Sequence, residues 1–148
     1  MTAIPLTLWE LAEQIGSTVS RLPLKCVFCK KSMNGLDKYN FGGASFNPVL
    51  KEGAVYGCCL TCAREAARQD LRKNCTGLGT RTVVEAVTGL SLGEIGVRCV
   101  CCMRHLSQLE KVEVSCRGEL YYRVRDKWRA RCRQCAIASN NEGPNTNP

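Results

Sequence analysis

The sequence predicts an α+β fold built from two tandem, duplicated four-cysteine modules joined by a linker helix. Three observations predict it. The pattern C-x2-C-x29-C-x2-C occurs twice, the two copies superpose at one constant offset, and a stretch rich in helix formers lies between them.

The first copy is Cys26, Cys29, Cys59 and Cys62; the second is Cys99, Cys102, Cys132 and Cys135. Adding 73 carries each member of the first onto the second, and Leu36-x-Lys38 onto Leu109-x-Lys111. Coincident offsets of this kind mark an internal duplication. The register also sorts the remaining thiols. Cys101 falls opposite Phe28 and Cys58 opposite Arg131, so both are spare. Cys75 and Cys116 have no metal-type spacing and read as ordinary part-buried thiols.

Four thiolates from two knuckles suit a closed tetrahedral zinc site, with no position left for water. Two structural Zn2+ ions per chain are therefore expected. An iron–sulfur cluster also takes four cysteines, but widely separated knuckle pairs favour zinc. Disulfides are the other use of so many cysteines. The N-terminus has no basic leader, and Glu10 and Glu13 interrupt its apolar run, which argues against a secretory signal. No apolar run approaches membrane-spanning length. The chain reads as intracellular, where clustered cysteines hold metal.

Thr7 to Ile15 reads as a helix, with a Thr7/Glu10 capping box, apolar Leu8, Leu11, Ala12 and Ile15, and Gly16 as its stop. In the first module "LDKYNF" has strand character, with a turn at Gly42-Gly43. The linker "TCAREAARQDLRKN" is helical, with Arg64, Arg68 and Arg72 on one basic stripe and Ala63, Ala66, Ala67 and Leu71 on a small-residue face. "TVVEAVTG" reads as a helix capped by Thr82 and Glu85 and ended by Gly89, with a short turn at Ser91–Glu94. "KVEVSC", Arg117-Gly118 and "ELYYRV" read as a hairpin. The resulting division is 1–63 for the N-terminal helix and first zinc domain, 64–77 for the linker helix, 78–137 for the second zinc domain, and 138–148 for a disordered polar tail.

The net charge is +8, from 21 basic and 13 acidic residues, which favours an acidic partner. Arg123, Arg125, Lys127, Arg129, Arg131 and Arg133 occupy every second position, giving one cationic face if the segment is a single strand. A binding role is expected for it. An enzyme is not expected: His105 is the only histidine, a loop residue by the second knuckle, and both metal sites are closed. A ring-type ubiquitin ligase interleaves two sites at shorter spacings. A zinc-dependent nucleic-acid-binding transcription regulator is the competing reading, supported by zinc and charge but lacking a recognition helix beside a knuckle.

Two modules of this spacing, 36 residues apart, with the contexts "KCVFCK", "VRCVCC" and "RVRDKWRARCRQC", resemble the papillomavirus early oncoprotein, the sixth early gene product. The resemblance covers about Thr7 to Cys135. It implies two related α+β zinc domains and a viral, non-enzymatic adaptor that captures acidic LxxLL helices of host proteins in a groove. The family's pocket positions fall on Val27, Phe28, Phe46, Val49, Ala63 and Ala66 for an apolar floor, and on Lys51, Lys73, Arg98 and Lys127 for basic walls. Trp128 matches a packing tryptophan. The implied partners are a HECT-type ubiquitin ligase or a Notch-pathway transcriptional coactivator, with inhibition of apoptosis and action in the host nucleus and cytoplasm. Ala63 and Ala66 stand where better-known members are bulky. The C-terminus "NTNP" lacks the apolar end a PDZ domain needs, so no PDZ partner is expected. Weak self-association and nucleic-acid contact are compatible with the reading; membrane association is not expected.

Overall fold

The computed structural model describes residues 1–142 of the chain. They divide into two compact units between Ala63 and Arg64.

The first unit opens with strand β1 (Thr2–Ala3) and helix α1 (Leu8–Gln14). The Thr7 hydroxyl accepts from the Glu10 backbone N–H at 3.2 Å, and the Glu10 carboxylate accepts from the Thr7 N–H at 3.0 Å. Two orphaned helix donors are thereby satisfied. Strand β2 (Lys25–Cys26), helix α2 (Gly35–Gly43) and strands β3 (Val49–Lys51) and β4 (Ala54–Gly57) follow. The sheet order is β1-β3-β4-β2, with β2 parallel to β4 and the other pairs antiparallel. Leu8, Ala12, Leu22, Leu24, Met33 and Phe41 form the core with Cys26 and Cys59.

Helix α3 (Leu60–Asn74) carries the chain out of the first unit. The second unit continues with β5 (Cys75–Gly79), α4 (Arg81–Thr88), a 3-10 turn at Leu92–Glu94, β6 (Val97–Cys99), α5 (Gln108–Cys116), β7 (Tyr121–Val124), β8 (Lys127–Ala130) and α6 (Arg133–Glu142). Its sheet order, β5-β7-β8-β6, repeats that of the first.

The duplication reaches individual hydrogen bonds. The bounds of α2 become those of α5 at the offset of 73, and the bounds of β4 become those of β8. Asn34 and Asp37 cap α2 as Ser107 and Glu110 cap α5. The Leu60 N–H donates to Asp37 at 2.9 Å, and the Arg133 N–H to Glu110 at 2.9 Å. Lys38 Nζ donates to the Ser20 and Leu22 carbonyls, and Lys111 Nζ to those of Leu92 and Gly93. Each lysine stays buried because main-chain oxygens accept its hydrogen bonds.

Several sequence expectations are corrected. "LDKYNF" is helical, inside α2, and Gly42-Gly43 are its last residues. "KVEVSC" likewise lies in α5, and Gly118, at φ +72°, follows the helix end. The capping boxes outweigh the β-like side chains, because each closes two N-terminal donors that a strand would leave open. The hairpin is β7–β8 instead, turned by Arg125 and Asp126 at φ 54° and 63°. This two-residue turn breaks the predicted cationic strand. Arg129 is buried, and Arg133 begins α6. Thr80, not Thr82, caps α4, while Gly89 ends it in the left-handed region at φ +72°. Helix α3 begins at Leu60, and residues 75–77, assigned to the linker, belong to β5. The α6 helix extends to Glu142, so the first residues of the expected tail are helical; its remainder lies outside the described residues.

Candidate metal centres

Each cysteine quartet is assembled from a strand end, a tight turn and a helix start. Cys26 ends β2 and Cys99 ends β6. The Cys26 N–H donates to the Lys31 carbonyl at 2.9 Å, and the Cys99 N–H to that of Arg104 at 2.7 Å, closing the two knuckles. Lys30 and Met103 turn the chain at φ 65° and 69° just after Cys29 and Cys102. Cys59 and Cys62 sit at the start of α3; Cys132 and Cys135 sit at the start of α6. Helix N-termini favour thiolates. The Cys62 N–H also donates to Cys59 Sγ at 3.4 Å, and the Cys135 N–H to Cys132 Sγ at 3.5 Å.

Within each quartet the four sulfurs lie within 4.8 Å of one another. Cys29 and Cys59 are 3.7 Å apart, Cys99 and Cys135 3.7 Å, and Cys102 and Cys132 3.9 Å. A tetrahedron with Zn–S bonds of about 2.3 Å has sulfur–sulfur edges of about 3.8 Å. Both quartets therefore fit zinc in spacing and in donor chemistry.

Their electrostatics call for a cation as well. Burial opposes the Cys26 thiolate, but backbone donors from Cys59, Cys29 and Phe28 outweigh it and bring its pKa down to about 6. Burial pushes Cys59 and Cys62 up. In the second quartet, contacts with Cys101 and Cys102 draw Cys99 far down, and contacts with Cys102 and Cys135 bring Cys132 to about 6. Cys102 is raised by its contacts with Cys132, Cys135 and Cys99. Four sulfurs this close cannot all ionise unless a metal balances them. Zinc there would supply cross-linking, since every tetrahedral position is taken by protein sulfur.

His105 is exposed and sits on the β-bridge to Arg98, outside the sulfur cluster. Cys75 and Cys116 are exposed thiols, not part-buried ones, because each lies at the end of an element.

Of the expected peptide-contact residues, Val27 is buried in the first knuckle, its N–H donating to the Gly57 carbonyl at 2.9 Å. Phe28 beside it is 65% exposed. Phe46 is half-buried, edge-on to Phe41 at 5.6 Å, and Val49 and Lys51 are half-buried on β3. On α3, Ala63 is buried whereas Ala66 and Lys73 are exposed. In the second unit Arg98 is half-buried on β6, donating to the Met103 carbonyl at 2.9 Å, and Lys127 is exposed on β8. Burial and the neighbouring Arg129 lower the Arg98 pKa.

Two acidic residues escaped the sequence reading. Asp70, on α3, accepts from Arg125 at 2.7 Å, from Arg129 at 2.6 Å and from Asn74 at 2.6 Å. Burial raises its pKa, but these donors prevail and hold it at about 2. Glu110 is buried against Arg104 at 3.3 Å. An acid set between the stripe residues Arg68 and Arg72 was the available signal for Asp70; the Ser107-x-x-Glu110 spacing was that for Glu110.

The family model described as Early Protein (E6) matches residues 26–135. The chain belongs to the E6 family. The E6 protein of Mastomys natalensis papillomavirus is 34% identical over 129 residues, covering 87% of this chain and 96% of that protein. The E6 protein of human papillomavirus type 49 is 29% identical over 135 residues, covering 91% and 98%. A solved structure of the C-terminal zinc-binding domain of HPV51 oncoprotein E6 matches at a TM-score of 0.41 and 22% identity, over 48% of this chain and 93% of that one. As an E6 protein the chain is a viral early protein with two four-cysteine sites suited to zinc.

Proposed function

We propose that this E6 protein is a non-catalytic adaptor that binds acidic LxxLL helices of host proteins and redirects a HECT-type ubiquitin ligase or a Notch-pathway coactivator, acting in the host nucleus and cytoplasm. The observation that carries the reading is that both metal centres are closed by four sulfurs, leaving surface recognition as the chemistry on offer. The proposed contact set remains Val27, Phe28, Phe46, Val49, Lys51, Ala63, Ala66, Lys73, Arg98 and Lys127. A leucine-bearing helix needs partly exposed apolar side chains, as at Phe28, Phe46 and Val49, and cations for its acidic flank, as at Arg98 and Lys127. Val27 and Ala63 are buried and act by shaping the surface rather than by direct contact.

Ion pairing weakens the nucleic-acid alternative. Arg125 and Arg129 are engaged by Asp70, Arg131 by Glu119 and Arg133 by Glu113. These charges are partly spent within the fold. Fluorescence anisotropy with a panel of acidic LxxLL peptides tests the reading. Arg98→Ala with Lys127→Ala weakens binding roughly tenfold or more while zinc stays bound, since charge-assisted contacts each contribute ~1.5–3 kcal/mol. Unchanged affinity removes both residues from the site. Duplex DNA competing at low salt and losing steeply with added salt would favour the alternative.

A further inference from the structure

In the second unit Gln108, the first residue of α5, folds its side chain back onto the preceding turn, and its Nε2 donates to the Gly93 carbonyl at 2.9 Å. Lys111 Nζ donates to the same oxygen at 3.4 Å, so two donors share its two lone pairs. At the offset of 73 the corresponding residues of the first unit are Gly35, Ser20 and Lys38. Lys38 Nζ keeps the bond to the Ser20 carbonyl, at 3.3 Å. Gly35 has no side chain, and the amide donor is missing. Among the described residues the Ser20 oxygen accepts from Lys38 alone. A largely apolar cavity of about 500 Å³ stands there instead, between α1 and α2, with Trp9, Ser20, Gly35, Lys38, Tyr39 and Gly42 among its walls. Its two rings are open to solvent, Trp9 at 68% and Tyr39 at 56% exposure. Gly42 keeps α2 low beneath the indole: a Cβ there would stand 3.8 Å from Trp9 Nε1. The second unit has Thr82, Val112 and Ser115 at the positions of Trp9, Tyr39 and Gly42, so the aromatic walls belong to the first copy only.

We infer that this cavity docks a glutamine side chain of a partner protein, which supplies from outside the carboxamide that the second unit supplies from its own chain. The amide N–H donates to the Ser20 carbonyl, as Gln108 donates to that of Gly93. The methylenes of the incoming side chain lie against Trp9 and Tyr39. An apolar cavity of this volume with a few fixed polar groups is the usual form of a small binding site. The polar group selects the occupant. A carboxylate brings only acceptors to a carbonyl oxygen, and a thioether brings no donor, so neither replaces the amide. None of these residues belongs to the contact set proposed for the LxxLL helix, so the cavity is a second recognition surface, confined to the first unit.

The test pans phage-displayed heptapeptides, random except for a fixed central residue, on the zinc-loaded full chain. The library with central glutamine should be retained roughly tenfold over matched libraries with central glutamate or methionine, the difference that one well-made hydrogen bond gives. Gly35→Gln fills the site from within. No heavy atom lies within 4 Å of a Cβ placed at residue 35, so α2 accepts the side chain, and the variant should keep its zinc and lose the preference. Tyr39→Ala removes one exposed wall without touching the core and should lose the preference as well. Equal retention of the three libraries by the parent chain overturns the inference, and that comparison needs no variant. A glutamine preference that survives either substitution overturns it too, because the peptides would then be held elsewhere on the chain.

Discussion

In the first unit Phe46 and Cys58 pack against the apolar core cluster. In the second unit the residues 73 positions later are Glu119 and Arg131, and they form an ion pair at 2.8 Å, joined by Arg117 to Glu119 at 2.6 Å. The contrast repeats nearby. Asn40 becomes Glu113 and Leu60 becomes Arg133, which pair at 3.0 Å. Lys31 becomes Arg104, which gains Glu110 where the first unit has Asp37. The metal quartets differ too: Cys29 is exposed and Cys62 half-buried, whereas all four sulfurs of the second quartet are buried. One backbone plan thus tolerates apolar side chains at these positions in one copy and ion pairs in the other, around a buried core that is apolar in both. The knuckles and helix caps hold the backbone, so the packing around them was free to diverge.

Removing a ligand from either copy gives the largest expected effect. Structural zinc contributes ~10–16 kcal/mol of apparent binding energy in small finger peptides. Cys59→Ser and Cys132→Ser should each leave one zinc per chain by metal analysis, and Cys58→Ser should leave both. Loss of both metals from a single ligand change would show that the copies do not fold separately.

Next is the capping acid. Glu110→Ala strips a buried partner from Arg104 and is expected to cost ~3–5 kcal/mol. Asp37→Ala, 73 positions earlier, removes caps and is expected to cost ~1–2 kcal/mol. Hydrogen exchange of α5 against α2 measures the pair, and equal losses would show that the Arg104 ion pair adds nothing to the cap.

Asp70 gives a smaller effect with a defined pH signature. Its pKa, about 2, is below the ordinary carboxylate value of 3.8, so its contribution is fully present above that value and fades as the pH falls toward 2. Asp70→Asn should cost ~1–2 kcal/mol at neutral pH. In thermal unfolding the difference should be flat between about pH 7 and 5 and shrink only below about pH 4. A difference that vanished by pH 5 would show that another group is responsible.

The smallest effect comes from grafting one copy onto the other. Glu119→Phe alone leaves Arg131 without its carboxylate, whereas Glu119→Phe with Arg131→Cys recreates the pair found in the first unit. The double change should stay within ~1–2 kcal/mol of the parent in thermal unfolding, because apolar packing can replace a half-buried ion pair of this kind. A double variant no better than the single one would mean that the two interiors are not interchangeable.

The sequence by itself determined the duplication, the two quartets and the helices α1, α3 and α4. Cysteine spacing is a covalent fact of the chain, and helix caps act within four residues, so both are readable without tertiary context. Tertiary structure decided α2 and α5, whose short β-like runs hid capping boxes, and the β7–β8 turn, where Arg125 and Asp126 adopt left-handed conformations that neither residue advertises. It also decided the fate of the basic residues. Alternating arginines looked like one open face, but Asp70 reaches Arg125 and Arg129 from 55 and 59 residues away, and Glu119 reaches Arg131 from 12. Charge pairing depends on distance in space, and local sequence carries no record of that distance.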